Sequence, residues 1–131
     1  MVSTTDEATR SIDTSARAMA VALAGMGIAH FAAPRPFDSI VPPTLPFGLT
    51  PRRATYLSGV AELTTAALLA VPRTRRLGGA SATVLFAAVF PANVYMAQQW
   101  SAKPLPLRLG AYARLPLQLP MIATAVRIAR G

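Results

Sequence analysis

The run from Leu77 to Ala102 contains no Asp, Glu, Lys or Arg. A membrane-spanning helix needs about 20 mostly apolar residues, so this run is long enough to cross a bilayer. The composition points the same way, because 53% of the 131 residues are hydrophobic and only 14% are charged. An average soluble domain carries about 25% charged residues. The sequence therefore predicts an integral membrane protein.

Prolines and arginines divide the chain into several apolar runs, and the uncharged run is one of four predicted spans. These spans cover about residues 17–33, 53–71, 77–97 and 109–128. The short connections between them favour an all-α, up-down bundle of four transmembrane helices, forming a single domain over residues 17–131. Pro91 is expected to kink the third span or to mark its exit. Residues 1–16 are polar and are predicted to be a flexible cytoplasmic tail, with a short surface helix as the alternative.

The connection between the first two spans, Pro34 to Pro51, contains six prolines. Proline lacks a backbone N–H and breaks helices and central strands, so a continuous element is excluded here. The segment is nevertheless apolar, with the sequence PRPFDSIVPPTLPFGLTP. It is expected to lie over the helices, either as a covering loop or as a lid on a ligand cavity.

The second connection, PRTRR at Pro72–Arg76, is short and densely basic. Cytoplasmic loops of membrane proteins are enriched in Lys and Arg, so this connection and both termini are predicted to be cytoplasmic. The net charge of +8 could also indicate nucleic acid. The arginines, however, cluster at the ends of apolar runs, and no nucleic-acid-binding motif is present in the sequence. Nucleic acid is therefore excluded as a partner, and the arginines are expected to hold helix ends at the membrane surface.

The sequence has no cysteine and a single histidine, His30. Thiol redox chemistry, iron–sulfur clusters and multi-histidine metal sites are therefore excluded. No metal and no resident cofactor are predicted.

Glu62 is the one acidic residue within the predicted spans. A charged side chain near the bilayer centre costs about 2.5–3.5 kcal/mol on insertion scales. Thr55, Ser58 and Thr65 share its face of the helix, because they recur at helical spacing. This polar stripe is predicted to face the bundle interior, and Leu57, Leu63 and Leu68 are expected to be exposed to lipid or to packing against other helices.

Other spans supply polar partners for the stripe. The candidate site or polar-core residues are His30, Ser58, Glu62, Thr65, Asn93 and Gln118. They could form a structural hydrogen-bond network or a small-molecule or proton site. Whether Arg114 pairs with Glu62 or reaches the surface is left open by the sequence. A lone carboxylate without a second acid, a metal or a nucleophile is a poor active site, so no catalytic residue is predicted.

Small residues repeat every four positions on two spans and predict close helix contacts. They are Gly25, Ala29 and Ala33 on the first span, and Gly79, Thr83 and Ala87 on the third.

Four segments together resemble the DoxX-like family of small four-helix membrane proteins. They are GVAEL at residues 59–63, PRTRRLGG at 72–79, FPANVYMA at 90–97 and RLPLQLP at 114–120. The resemblance implies four membrane helices, and it matches Glu62, Asn93 and Gln118 to polar positions of the family. Members of that family have been linked to thiosulfate:quinone oxidation. This chain has no cysteine for sulfur chemistry, so that activity does not transfer.

Two functions are consistent with these features. The first is a non-catalytic membrane subunit or scaffold that organises partner proteins, such as redox enzymes, or assembles as a homo-oligomer in the lipid bilayer. The alternative is a quinone- or lipid-binding component with a cavity around Glu62, in which Phe86, Phe90 and Tyr95 would contact a ring. A transporter is disfavoured because so short a chain leaves little room for alternating access.

Overall fold

The computed structural model describes residues 3–131, which form helices and no β-strand. The five α-helices are α1 (Thr4–Ala32), α2 (Pro34–Asp38), α3 (Pro51–Ala70), α4 (Arg75–Gln99) and α5 (Leu105–Arg130). Single turns of 3₁₀-helix occupy Pro46–Gly48, Pro72–Thr74 and Trp100–Ala102. The predicted all-α class is confirmed.

Two of these helical stretches are long and apolar enough to cross a membrane, Thr4–Ala32 and Pro72–Ala102. The helices α3 and α5 do not pass the same test of length and hydropathy, since arginines or Glu62 interrupt their apolar runs. A membrane location therefore has support from two helices, and the four-span arrangement remains a prediction.

Of residues 1–16, predicted to be a flexible tail, residues 1–2 lie outside the described part of the chain, and residues 4–16 form the first turns of α1. Ser3 caps this helix, because its Oγ accepts a hydrogen bond of 3.2 Å from the Asp6 N–H. The carboxylates of Asp6 and Glu7 lie in the first turn, where they interact favourably with the positive end of the helix dipole. Farther along, Ala16 is buried and Asp13 forms an ion pair with Arg75 of α4. The Asp13–Arg75 contact is distant in sequence, whereas the Ser3 cap and the acidic first turn are a local signal for a helix start that the sequence does contain.

The four long helices pack as two antiparallel pairs, α1 with α3 and α4 with α5, joined where α3 packs on α4. The contact between α1 and α5 is much smaller. Consequently the bundle is well closed on three sides and loosely closed on the fourth.

The apolar core lies in the half of the bundle that carries the chain termini. Its buried members come from all four long helices: Ala16, Ala20, Leu23, Ala66, Leu69, Ala82, Phe86, Ala125 and Ile128. We call this half the terminus end and the opposite half, next to α2, the α2 end.

Two adjacent glycines allow α4 to approach both neighbouring helices. A Cβ at Gly78 would lie 2.7 Å from the Leu69 N, and one at Gly79 would lie 2.5 Å from the Ala129 N. The predicted close contact through Gly79 is therefore present. On α1 the prediction was wrong: Gly25 has open space around it, and the close approach to α3 is made by Gly27.

Two arginines of the basic connection donate hydrogen bonds to the ends of neighbouring helices, and their expected place at a membrane surface stays a prediction. Arg75 is buried and donates to the Leu69 and Ala70 carbonyls at 2.9 and 3.3 Å, at the end of α3. Arg76 donates to the Arg130 carbonyl at 3.0 Å, at the end of α5. The last carbonyls of a helix lack intrahelical donors and form the negative end of its dipole, which explains both contacts.

Candidate functional site: an inter-helix cavity with a buried polar cluster

A cavity of about 790 Å³ lies between the long helices and extends to the α2 end. Its apolar wall consists mainly of side chains from α1, α4 and α5, among them Met19, Leu23, Met26, Leu85, Leu117 and Met121. Its polar lining includes His30, Ser58, Glu62, Asn93, Arg114 and Gln118. Five of the six candidate residues from the sequence therefore border one cavity. Whether they bind a ligand stays a prediction.

Four of these side chains are buried together and form what we call the polar cluster. They are His30, Glu62, Asn93 and Gln118, with exposed fractions of 7%, 6%, 7% and 3%. Each comes from a different long helix, since α1, α3, α4 and α5 supply one residue in turn. On α3 the predicted inward stripe is confirmed, because Thr55, Glu62 and Thr65 are buried.

His30 lies close to three side-chain or backbone groups. Its Nδ1 lies 2.7 Å from the Met26 carbonyl oxygen and 3.2 Å from Glu62 Oε2. Its ring stacks on Phe37 of α2, with ring centroids 3.8 Å apart. A carbonyl can only accept a hydrogen bond, so Nδ1 carries the proton and directs it to Met26. Glu62 Oε2 is close to His30 yet receives no hydrogen bond from the described residues.

Asn93 and Gln118 form a hydrogen-bonded chain that ends on the backbone of α4. Asn93 Nδ2 donates to Gln118 Oε1, and Gln118 Nε2 donates to the Phe86 carbonyl at 2.6 Å. Asn93 Oδ1 is buried without a hydrogen-bond partner among residues 3–131. The cluster therefore presents two unpaired acceptor oxygens, Asn93 Oδ1 and Glu62 Oε2.

Thr65 does not border the cavity. Its hydroxyl lies 2.6 Å from the Ser81 hydroxyl and links α3 to α4. Phe90 and Tyr95 were also expected to contact a ring in the cavity, but neither residue lines it, and Phe90 is 42% exposed. Of the three predicted ring residues, Phe86 does line it.

Arg114 stands at the exposed edge of the cavity. The ion pairs found among residues 3–131 do not include one between Arg114 and Glu62. Glu62 therefore has His30, rather than a permanent cation, as its nearest titratable neighbour.

The proline-rich connection covers the α2 end of the cavity through Phe37, Ile40 and Val41. Asp38 fastens it to α3, because the carboxylate accepts 2.6 Å from Thr55 Oγ1 and 2.7 Å from Arg52 Nε. Although partial desolvation acts to raise its pKa, these two hydrogen bonds and the Arg52 charge outweigh it and lower the pKa of Asp38. The sequence analysis did not predict this contact. The signal that could have found it is the lone acid, Asp38, in an otherwise apolar connection.

A profile of DUF8561, a domain of unknown function, matches residues 19–129. The chain belongs to this family. The matched region includes every residue of the polar cluster and almost all of the cavity lining, so the site lies within the family domain. No curated protein and no solved structure matches the chain. The DUF8561 match carries no link to the DoxX-like family, and that resemblance stays a prediction.

Proposed function

We propose that this protein is a four-span membrane protein that binds an amphipathic small molecule in the inter-helix cavity. The observation that carries the proposal is the distribution of polarity. The polar cluster is buried, while large apolar side chains are exposed on the outside of all four long helices, such as Val21, Leu57, Val84 and Leu119 at 58–74%. A soluble protein would have the opposite arrangement, whereas lipid suits it.

Helix lengths support four spans. The shortest of the four, α3, has 20 residues, which at about 1.5 Å per residue matches a hydrocarbon core of about 30 Å. In this arrangement Glu62 faces the cavity, and the arginines near the ends of α3 and α5, Arg52, Arg53, Arg127 and Arg130, lie toward the membrane surfaces. The protein is then multi-pass in the cytoplasmic membrane, with the basic connection and both termini in the cytoplasm.

The cavity suits a ligand with a small polar head and an apolar body. Its volume of about 790 Å³ falls within the range of about 300–1,000 Å³ for ligand sites. The exposed lining residues Met26, Leu117 and Met121 flank an opening between α1 and α5, where the helices touch least. A lipid or a quinone would enter the cavity sideways from the bilayer through this gap.

The test is native mass spectrometry of the detergent-solubilised protein. Wild type should retain an amphipathic molecule, and Val89→Trp, which places an indole in the cavity, should lose it. Val84→Trp is the matched control, because Val84 lies on the same helix but on the exposed outer face. Equal retention by both variants would refute the cavity as the binding site.

A membrane scaffold is the second candidate, since the exposed apolar faces could also contact partner helices. The same mass spectra separate the two functions. A scaffold would carry specific partner proteins or further copies of the chain, and the cavity-filling substitution would not release them.

A further inference from the structure

The polar cluster has a surplus of hydrogen-bond acceptors. Glu62 Oε2 and Asn93 Oδ1 are buried, border the cavity and have no hydrogen-bond partner among the described residues. Both residues are more than nine-tenths buried. Buried polar atoms in folded proteins are nearly always paired, so two unpaired atoms at one cavity indicate the chemistry of what binds there.

The orientation of the Asn93 amide is fixed by its neighbours. The Phe86 carbonyl can only accept, so Gln118 must turn its Nε2 toward it. Gln118 then presents Oε1 to Asn93, which must answer with Nδ2. Flipping either amide would place two donors or two acceptors face to face. The backbone of α4 therefore leaves Asn93 Oδ1 as the free atom.

His30 does not supply the missing donor. Its Nδ1 proton is directed to the Met26 carbonyl at 2.7 Å, which is closer than Glu62 Oε2 at 3.2 Å. A neutral imidazole with the proton on Nδ1 has an acceptor at Nε2. The neighbours of Asn93 and Glu62 thus leave an acceptor at Asn93 Oδ1 and, with the carboxyl ionised, a second acceptor at Glu62 Oε2.

We propose that the cavity selects a ligand whose polar head donates hydrogen bonds, namely a hydroxyl-bearing amphiphile, and discriminates against heads that only accept. This inference rests on the proposed function and specifies the ligand of the same site. Hydroxyls of a phenol and of a lipid alcohol share the required chemistry.

Three probes with the same decyl tail test the rule: decylhydroquinone, its dimethyl ether and decylbenzoquinone. A fourth, monodecanoyl glycerol, carries a ten-carbon acyl chain. All are titrated calorimetrically into the protein in nanodiscs under anaerobic conditions. The hydroquinone should bind at least about tenfold more tightly than its ether or the quinone, since a site built to bond a hydroxyl rejects analogues that lack it. The glycerol lipid shows whether an aliphatic hydroxyl serves as well as a phenol.

Three variants connect the preference to the two oxygens. Asn93→Leu removes one acceptor and should reduce the preference for hydroquinone over its ether. Glu62→Gln adds an amide donor at the second position and should strengthen quinone binding relative to wild type. Thr65→Val, at a hydroxyl outside the cavity, should leave the preference unchanged. Circular dichroism shows which variants are folded, and either cavity variant suffices if the other fails to fold.

The outcomes separate the two proposals. If the ether or the quinone binds as tightly as the hydroquinone, the donor rule is wrong and the cavity still binds amphiphiles. If selective binding persists in both cavity variants, the two oxygens are not its cause and the inference is overturned. If no probe binds to wild type, both the donor rule and the proposed function are rejected.

Discussion

The contact between α4 and α5 at Gly79 provides a sharp test of the packing. A Cβ at this position would lie 2.5 Å from the Ala129 N and 2.8 Å from the Ala125 O, both backbone atoms of α5. Ordinary carbon contacts are about 3.5–4.0 Å, so Gly79→Ala must separate the helices by about 1 Å. Backbone atoms cannot rotate away, and the cost should therefore reach the upper part of the usual overpacking range of about 1–3 kcal/mol.

Alanine also favours a helix over glycine by about 0.5–1 kcal/mol, which offsets part of that cost. The net expectation is a loss of about 2 kcal/mol of unfolding free energy for Gly79→Ala, working from the top of the overpacking range. Gly25→Ala is the matched control, because nothing lies within 4 Å of its added Cβ. It should gain up to about 1 kcal/mol from helix propensity alone.

Unfolding of the detergent-solubilised protein by sodium dodecyl sulfate, followed by far-ultraviolet circular dichroism, measures both free energies. Each variant is compared with wild type in the same mixed micelles, so that only the difference between glycines is read. Should Gly79→Ala prove as stable as Gly25→Ala, the backbones of α4 and α5 do not meet at Gly79, and the closed terminus end is packed differently.

Three further variants test other contacts. Arg75→Met should destabilise the bundle by about 1–3 kcal/mol in the same unfolding assay, because carbonyls at the end of α3 lose their charged donor, whereas Arg73→Met should have little effect. Thr65→Val should cost about 0.6 kcal/mol, typical of one hydrogen bond between membrane helices, and a double-mutant cycle with Ser81→Ala should recover that coupling. The lowered pKa of Asp38 means that its contact with α3 is complete above about pH 4, the ordinary range of Asp, and is lost as pH falls through the lowered value. The protection factors of the amides in residues 39–45, taken relative to the intrinsic exchange rate at each pH, should therefore fall in acid, and Asp38→Asn should show the low protection already at neutral pH.

The long helices and the inward face of α3 could be predicted because both depend on local periodicity. Apolar runs bounded by proline and arginine fix where α3 and α4 lie to within a few residues. The spacing of Thr55, Glu62 and Thr65 alone places them on one face, and that face is buried. Such patterns show which face of a helix is buried, whichever helix packs against it.

The start of α1 has a local signal in the Ser3 cap, but the packing of its first turns and the role of Thr65 depend on which helices become neighbours. Asp13 is 62 residues away from its partner Arg75, and no local pattern links the two. Thr65 belongs to the same stripe as Glu62, but it lies toward the terminus end, where α4 packs closely and supplies Ser81. Periodicity identifies a face, and only the packed structure shows where along that face a cavity begins.

The choice between Gly25 and Gly27 shows the same limit at finer scale. Both are small residues on α1, and the repeat of Gly25 with Ala29 and Ala33 looked more regular. The helix nevertheless packs through Gly27, where Leu63 and the Gly59 carbonyl would contact an added Cβ. The interface is set by the shape that α3 presents, which the α1 sequence does not contain.

The polar cluster is costly if its purpose is structural alone. Leaving a buried acceptor unpaired costs about 1–3 kcal/mol, and more when it is charged. In a network that served only helix register, every buried polar atom could have a protein partner, as Gln118 Nε2 has in the Phe86 carbonyl. Here Glu62 Oε2 and Asn93 Oδ1 instead remain open beside a cavity of about 790 Å³. A bound donor would pair both oxygens and fill the space at once, and this supports the proposed ligand binding over a role in helix register alone.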